Sequence, residues 1–183
     1  VKKIGISNSK VKLLDVKERG LGLGLVRGYE YAFREMKADI VLQMDADLQH
    51  NPKDIPRLLA PFEKGVDFVQ GSRFIKGGGN NLEPHRRFLS WAANWSARIL
   101  FGAFETHEFT TSFRAFTKKV YEKIDFSKVP HRGKSFIFQP AFLYAALQNK
   151  VKIVEVPIVF TDRRKGYSKM DMVQYSFELL RYG

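Results

Sequence analysis

Apolar residues in this chain recur with two periods, and the alternation between them outlines the architecture. Val11-Lys12-Leu13-Leu14-Asp15-Val16 has strand character. After Gly20-Leu21-Gly22-Leu23-Gly24, the residues Leu25, Val26, Tyr29, Ala32, Phe33 and Met36 fall at the 3.6-residue spacing of a helix with one buried face. Asp39-Ile40-Val41-Leu42-Gln43-Met44 is an apolar run of strand length, buried on both sides. Asn51, Pro52 and Asp54 then supply an N-cap, a first-turn proline and a first-turn acid. Ile55, Leu58, Leu59 and Phe62 follow as an inward stripe, and Val66-Asp67-Phe68-Val69-Gln70 reads as another strand, ending in Gly71-Ser72-Arg73. Strand, helix, strand, helix, strand predicts an α/β layer whose mostly parallel sheet is flanked by helices.

The second half continues the pattern with more punctuation. Gly77-Gly78-Gly79-Asn80-Asn81 is a loop by composition. His85-Arg86-Arg87 opens a helix bearing Phe88, Trp91, Ala92, Trp95 and Ile99, whose aromatics suit a core or a membrane better than stacking on a ligand. Thr117 caps a short helix with Val120, Tyr121 and Ile124 inward. Residues 139–148 read as helix and 151–160 as a strand, in which Pro157 demands an edge position. Asp162 to Lys169 is a basic loop around Gly166. From Met170 to Tyr182, one helical face carries Met170, Val173, Phe177 and Leu180, a pattern that packing on the sheet and lying at a membrane interface explain equally well. Val1 opens without a methionine and Gly183 closes an unfinished helix, so residues 1–183 are expected to be one domain cut from a longer protein.

Composition narrows the chemistry. No cysteine is present, which excludes disulfides and thiolate metal sites and suits a reducing compartment. With 31 Lys and Arg against 19 Asp and Glu, the net charge of +12 favours an anionic partner: nucleic acid, a lipid surface or phosphorylated substrates. No recognition helix or RNP-like motif supports nucleic acid, and no apolar run is long enough to span a bilayer.

The chemistry-bearing stretch is Met44-Asp45-Ala46-Asp47-Leu48-Gln49, where the central strand ends in two aspartates. Parallel sheets place ligands beyond the carboxyl ends of their strands. In an extended chain residues two apart point the same way, so Asp45, Asp47 and Gln49 are candidate oxygen ligands for one hard cation such as Mg²⁺ or Mn²⁺. Arg73 also follows a strand end, Arg87 opens the next helix, and Arg163 and Lys169 bracket the basic loop. Guanidinium forks and ammonium groups around a dicarboxylate suit phosphate-bearing substrates. The glycines at 20, 22 and 24 do not form a dinucleotide fingerprint, since Leu25 and Arg27 stand where a further glycine would fall. The four histidines show no metal spacing, and Ser72 is not in a nucleophile elbow.

Taken together these motifs resemble the polyprenyl-phosphate glycosyltransferases of the inverting GT-A type, family 2, of which dolichol-phosphate mannose synthase is the model. The resemblance runs through Gly20 to Gly24, Met44 to His50, Gly71-Ser72-Arg73-Phe74, His85-Arg86-Arg87, Ser112-Phe113-Arg114-Ala115-Phe116, Phe138-Gln139, and Asp162-Arg163 to Ser168-Lys169. It implies a GT-A-like fold lacking its N-terminal β-α-β portion. It also implies metal and donor-diphosphate binding by Asp45, Ala46, Asp47 and Gln49, with Arg73 and Arg87 catalytic alongside the two aspartates. Arg73, Arg87 and Ser90 would hold the acceptor phosphate, while Arg73, Arg163 and Lys169 would contact the donor. The implied reaction is metal-dependent transfer of one hexose, mannose from GDP-mannose, to dolichyl or another polyprenyl phosphate. It would take place at the cytoplasmic face of a membrane, on a protein peripheral to it or anchored by other segments. Absence of the Q-x-x-R-W element favours single transfer over chain extension. UDP-glucose is the alternative donor; a nucleic-acid-binding domain and an inactive lipid-phosphate-binding remnant are the alternatives of other classes.

Overall fold

The computed structural model describes residues 10–17, 20–130, 137–161 and 172–182. In chain order its elements are α1 (Leu21–Arg34), β1 (Ile40–Gln43), a 3₁₀ turn at Pro52–Asp54, α2 (Ile55–Leu59), a second 3₁₀ turn at Ala60–Lys64, β2 (Phe68–Ser72), β3 (Gly79–Asn81), α3 (Pro84–Phe101), β4 (Arg114–Thr117), α4 (Lys118–Lys123), α5 (Phe138–Gln148), β5 (Ile153–Pro157), β6 (Val159–Thr161) and α6 (Met172–Tyr182). Residues 11–17 join no regular element, so the strand expected at Val11–Val16 is not formed there; a strand needs a ladder partner, and its apolar Leu13 and Leu14 stay exposed.

Four strands form the main sheet in the order β1-β4-β2-β5. β2 and β5 pair in parallel, and β4 is antiparallel to both β1 and β2. Three strands therefore share one direction, as a mostly parallel sheet requires, while β4 is inserted against it, making the sheet mixed. The segment that supplies β4 follows a helix and a long loop, so its direction was not readable from the order of elements. Pro157 closes β5, which is the sheet's outer strand, as its missing N–H demands. Beyond it the chain breaks at Ile158, and β6 pairs in parallel with β3 in a separate two-stranded sheet.

The core is aromatic. Phe142 of α5 is fully buried and meets Phe116 edge-on at 5.1 Å, Phe126 at 5.4 Å, and Phe68, Phe138 and Tyr29 between 5.7 and 5.8 Å. Truncating such a ring leaves a cavity that costs about 3–5 kcal/mol, so Phe142→Ala should lower the melting temperature more than any surface change. α1 contributes Tyr29 and Phe33 to this cluster, the two positions at the centre of its predicted stripe. A smaller cluster on the opposite side of the sheet joins Leu58, Val69, Phe113, Val156 and Ile158.

The two amphipathic helices differ from their simplest reading. α3 turns Ala93, Asn94, Ala97 and Phe101 inward, leaving Phe88, Trp91 and Ile99 exposed. α6 packs against α3 and buries Tyr175 and Leu179, whereas Phe177 and Leu180 point outward. Packing of that apolar face on the sheet is therefore not what α6 does. The small residues of α3 allow close approach to the core, which frees its bulky positions to face out.

Candidate functional site

β1 ends at Gln43, and the chain turns at once: Ala46 and Asp47 lie in a turn, and Leu48 takes a left-handed φ of 66°. The extended geometry from which a common direction for Asp45, Asp47 and Gln49 was expected is absent, and side-chain contacts hold the turn instead. Asp47 Oδ1 accepts the Gln49 N–H at 3.1 Å, an Asx turn that fixes the loop. Asp45 Oδ2 accepts from Ser112 Oγ at 2.6 Å. Both carboxylates stay half-buried, with a face toward solvent. Gln49 is buried; its amide donates to the Thr161 carbonyl of β6 at 3.0 Å, which ties the turn to the small sheet.

His50 braces the turn from beneath. Its Nδ1 accepts the Asp45 N–H at 3.2 Å, so the neutral ring carries its proton on Nε2, 3.2 Å from Thr111 Oγ1. The ring stacks on Phe113 at 4.8 Å. Burial holds its pKa below the ordinary histidine value despite the nearby carboxylates, which keeps the ring neutral and able to accept.

Arg73 follows β2, as expected, but is not a loose cation. Its side chain is 5% exposed and forms a fork with Glu108: Nε donates to Oε2 at 2.7 Å and Nη2 to Oε1 at 2.9 Å. Nη2 also donates to Thr110 Oγ1 at 2.6 Å, and the guanidinium lies about 5 Å from the rings of Phe74 and Phe160. Among the described residues, no hydrogen bond engages its Nη1 edge. Glu108 is fully buried and also accepts from the N–H groups of Thr110 and Thr111 and from the Thr110 hydroxyl. Burial pushes its carboxyl up, but the Arg73 charge and these hydrogen bonds outweigh it and hold the pKa below the usual glutamate value. Sequence reading did not single out Glu108; one acid in Thr106-His107-Glu108-Phe109-Thr110 carries no motif.

Segment 108–112 thus links the two halves of the site. Glu108 holds Arg73, Thr111 meets both Glu108 and His50, and Ser112 holds Asp45. Below it a polar row crosses the sheet in register: Gln43 faces Arg114, Arg114 faces Gln70, and Gln70 faces Glu155. Arg114 is fully buried, donates to the Gln139 and Thr111 carbonyls, and burial lowers its pKa to about 10. This row was not anticipated either.

Arg87 stands apart from these contacts. It is exposed and lines a cavity of about 340 Å³ with Phe74, Asn80, Pro84, Phe88 and Trp91. Phe74 adjoins Arg73, so the cavity is one residue along the chain from the Arg73–Glu108 fork. The buried Asn80 Oδ1 has no hydrogen-bond partner among the described residues. Gly78 lets the loop close on this corner: a Cβ there would lie 2.6 Å from the Ser72 carbonyl. Ser90, one turn after Arg87, is half-buried. Arg163 and Lys169 lie outside the described residues.

Comparison with known proteins defines the class. The chain matches the model of glycosyl transferase family 2 over residues 6–125 and belongs to that family. It is 39% identical over 152 residues to the polyprenol monophosphomannose synthase of Mycolicibacterium smegmatis, covering 82% of this chain and 56% of that protein. It is 36% identical over 152 residues to the undecaprenyl-phosphate mannosyltransferase of Micrococcus luteus, covering 82% and 60%. The chain therefore spans a little over half the length of these relatives. Among solved structures, glucosyl-3-phosphoglycerate synthase from Mycobacterium tuberculosis, crystallised with Mn²⁺, UDP-glucose and phosphoglyceric acid, superposes with a TM-score of 0.57 at 16% identity. That match covers 91% of this chain and 55% of that one. At that identity the likeness speaks for the fold, which is GT-A-like.

Proposed function

We propose that this domain transfers one hexose, mannose from GDP-mannose, to dolichyl or another polyprenyl phosphate, with inversion, at a membrane surface. The observation that carries the reading is the hydrogen-bonded segment 108–112, which ties the aspartate turn to Arg73, whose chain neighbour Phe74 lines the cavity beside Arg87. The names of the two mannosyl-transferring relatives support the sugar and the lipid phosphate.

The donor set at the turn fits a divalent cation, Mg²⁺ or Mn²⁺. Asp45 and Asp47 are half-buried oxygen donors at a strand end, and such ions take one or two carboxylates plus substrate phosphates. When bound, the ion would offset the charge gathering on the departing diphosphate. Ser112 and the Asx turn hold the two carboxylates in place for it.

The acceptor phosphate is already an anion, so its oxygen needs no strong base. It attacks the anomeric carbon in line, the bond to the diphosphate oxygen breaks, and GDP leaves with the electron pair, inverting the sugar. Arg87 meets the acceptor phosphate at the cavity mouth, and the Nη1 edge of Arg73 faces the same charge while Glu108 keeps the guanidinium plane fixed. Positioning and electrostatics do the catalytic work.

A donor screen of the complete protein tests this, with a polyprenyl phosphate and Mg²⁺ or Mn²⁺. Labelled mannose from GDP-mannose is expected in the lipid fraction. Product from UDP-glucose alone would support the alternative donor, and no product from any nucleotide sugar would point to an inactive remnant.

A further inference from the structure

We infer that Asn94 is a positioning residue for sugar transfer: its buried amide locks segment 107–112 to α3, the helix that presents Arg87, and so sets the aspartate turn and the acceptor site relative to each other. This deepens the reading above, from which the roles of the two sites are taken; the link between them stands on contacts alone. Asn94 is the one polar residue among those that α3 buries, beside Ala93, Ala97 and Phe101. It is 2% exposed, and both ends of its amide are engaged. Its Nδ2 donates to the His107 carbonyl, and its Oδ1 accepts the Phe109 N–H at 2.8 Å. The amide thus pairs with backbone groups two residues apart, as a neighbouring peptide group would. Burying an amide is costly unless its polar atoms are bonded. An apolar side chain could fill the same face without that demand. What the amide adds is a fixed height and rotation of α3 against the segment.

What stands on either side of the clamp gives it its reach. Glu108 lies between the two clamped backbone groups, forms the fork with Arg73 and accepts the N–H groups of Thr110 and Thr111. Thr111 meets His50, and Ser112 holds Asp45. A shift of residues 107–109 would therefore be passed to both the guanidinium and the aspartate turn. In the other direction, Arg87 precedes Asn94 on α3 by about two helical turns, roughly 10 Å along the axis and on nearly the same side. A second tie joins the segment to the main sheet. The His107 N–H and ring Nδ1 both donate to Glu155 Oε2 of β5, at 2.9 and 2.8 Å, and Glu155 faces Gln70 of β2 across the ladder. Segment 107–112 is thus anchored to the sheet by a carboxylate and to α3 by a neutral amide, and the amide is the part that brings Arg87 into register.

Two substitutions in the complete protein separate positioning from packing. Asn94→Asp keeps an acceptor for the Phe109 N–H, but its carboxylate cannot donate to the His107 carbonyl. Burial raises the pKa of such an acid, and its protonated form can donate again. Asn94→Ala loses both bonds at every pH. Parent and variants are compared at each step from about pH 8 to about pH 5, a range that a buried carboxyl can titrate across; His107 and Glu155, present in all three, cancel. Two quantities are read: hydrogen exchange of the Asp45 and Gln49 amides without ligand, and Mn²⁺ affinity with GDP. At the alkaline end both variants should exchange these turn amides roughly tenfold faster and bind Mn²⁺ roughly tenfold more weakly than the parent, the worth of one lost buried hydrogen bond. Toward acid the gap should close for Asn94→Asp and persist for Asn94→Ala. Lowered melting temperatures with parental exchange at Asp45 and Gln49 would make the amide a packing element only and overturn the inference, as would a gap in Asn94→Asp that does not change with pH. Should Asn94→Asp be unfolded at the alkaline end, its turn amides are read where it refolds: parental rates support the link, and faster rates overturn it. Exchange is measured without metal, nucleotide or sugar, so the link and the proposed transfer fail separately.

Discussion

The aspartate turn, proposed to hold a cation and through it the donor diphosphate, and the first turn of α3, proposed to hold the acceptor phosphate, are built in opposite ways. At the turn each element has a partner: Ser112 holds Asp45, the Gln49 N–H holds Asp47, and His50 braces the backbone. Arg73 is fixed the same way by a buried carboxylate. Arg87 and Phe88, in contrast, stand exposed on a helix surface at the rim of an open cavity. The first region is organised before any ligand arrives, which lowers the reorganisation needed as charge develops. The second can adjust to a long, flexible lipid whose tail stays in the membrane. On the proposed reaction, rigidity would fall where charge changes and adaptability where the acceptor is held.

If that contrast is correct, changes at the two regions differ in kind and size. Asp47→Asn in the complete protein should cut metal-dependent turnover on the order of 10²–10³-fold while leaving the melting temperature nearly unchanged. Turnover near that of the parent would break the comparison at its rigid end.

Glu108→Gln should show mainly as lost stability, since removing one partner of a buried pair costs about 3–5 kcal/mol. Its pH dependence sharpens the point. The Glu108 pKa lies below its unfolded value near 4.5, so the pair's contribution is complete above that pH and is lost as pH falls through the folded value. Melting temperature against pH should therefore fall at the acid end for the parent, and the part due to Glu108 should vanish in the variant. Identical acid limbs would show that Glu108 does not set Arg73.

Arg87→Ala should raise the acceptor KM about tenfold, the worth of one charge-assisted contact, with kcat and stability little changed. A fall in kcat alone would place Arg87 at the chemical step instead. Smallest is Ser112→Ala, which removes one hydrogen bond to Asp45 and should cost about 1 kcal/mol, seen as weaker Mn²⁺ affinity rather than as unfolding.

The parts of the molecule governed by local rules were legible in the chain. Helical spacing placed Tyr29 and Phe33 in the core, Asn51 accepts the Lys53 N–H as a capping residue does, and Pro157 marked an outer strand. What escaped depends on pairing across long separations. Nothing local to Arg114 announces an antiparallel strand between β1 and β2, or a polar row with Gln43 and Gln70. Glu108 acquires its role only because folding brings it to Arg73, 35 residues earlier in the chain. The directions of the α3 and α6 faces, left open between core and membrane in the sequence, escaped for a related reason. Periodicity reveals that a helix has an apolar stripe but not that small residues on its other side pack inward.

The same limit applies to the aspartates, whose residues were visible and whose geometry was not. Their expected common direction came from an extended strand; the structure offers a hydrogen-bonded turn instead. The proposed role of the two aspartates as oxygen donors does not rest on strand alternation, since it calls only for two carboxylates at one turn.

Electron paramagnetic resonance of Mn²⁺ titrated into the complete protein with GDP tests the central claim most directly. The account predicts a tightly held ion in the parent that is lost in both Asp45→Asn and Asp47→Asn and retained in Arg87→Ala. Unaltered Mn²⁺ binding in the two aspartate variants would contradict it.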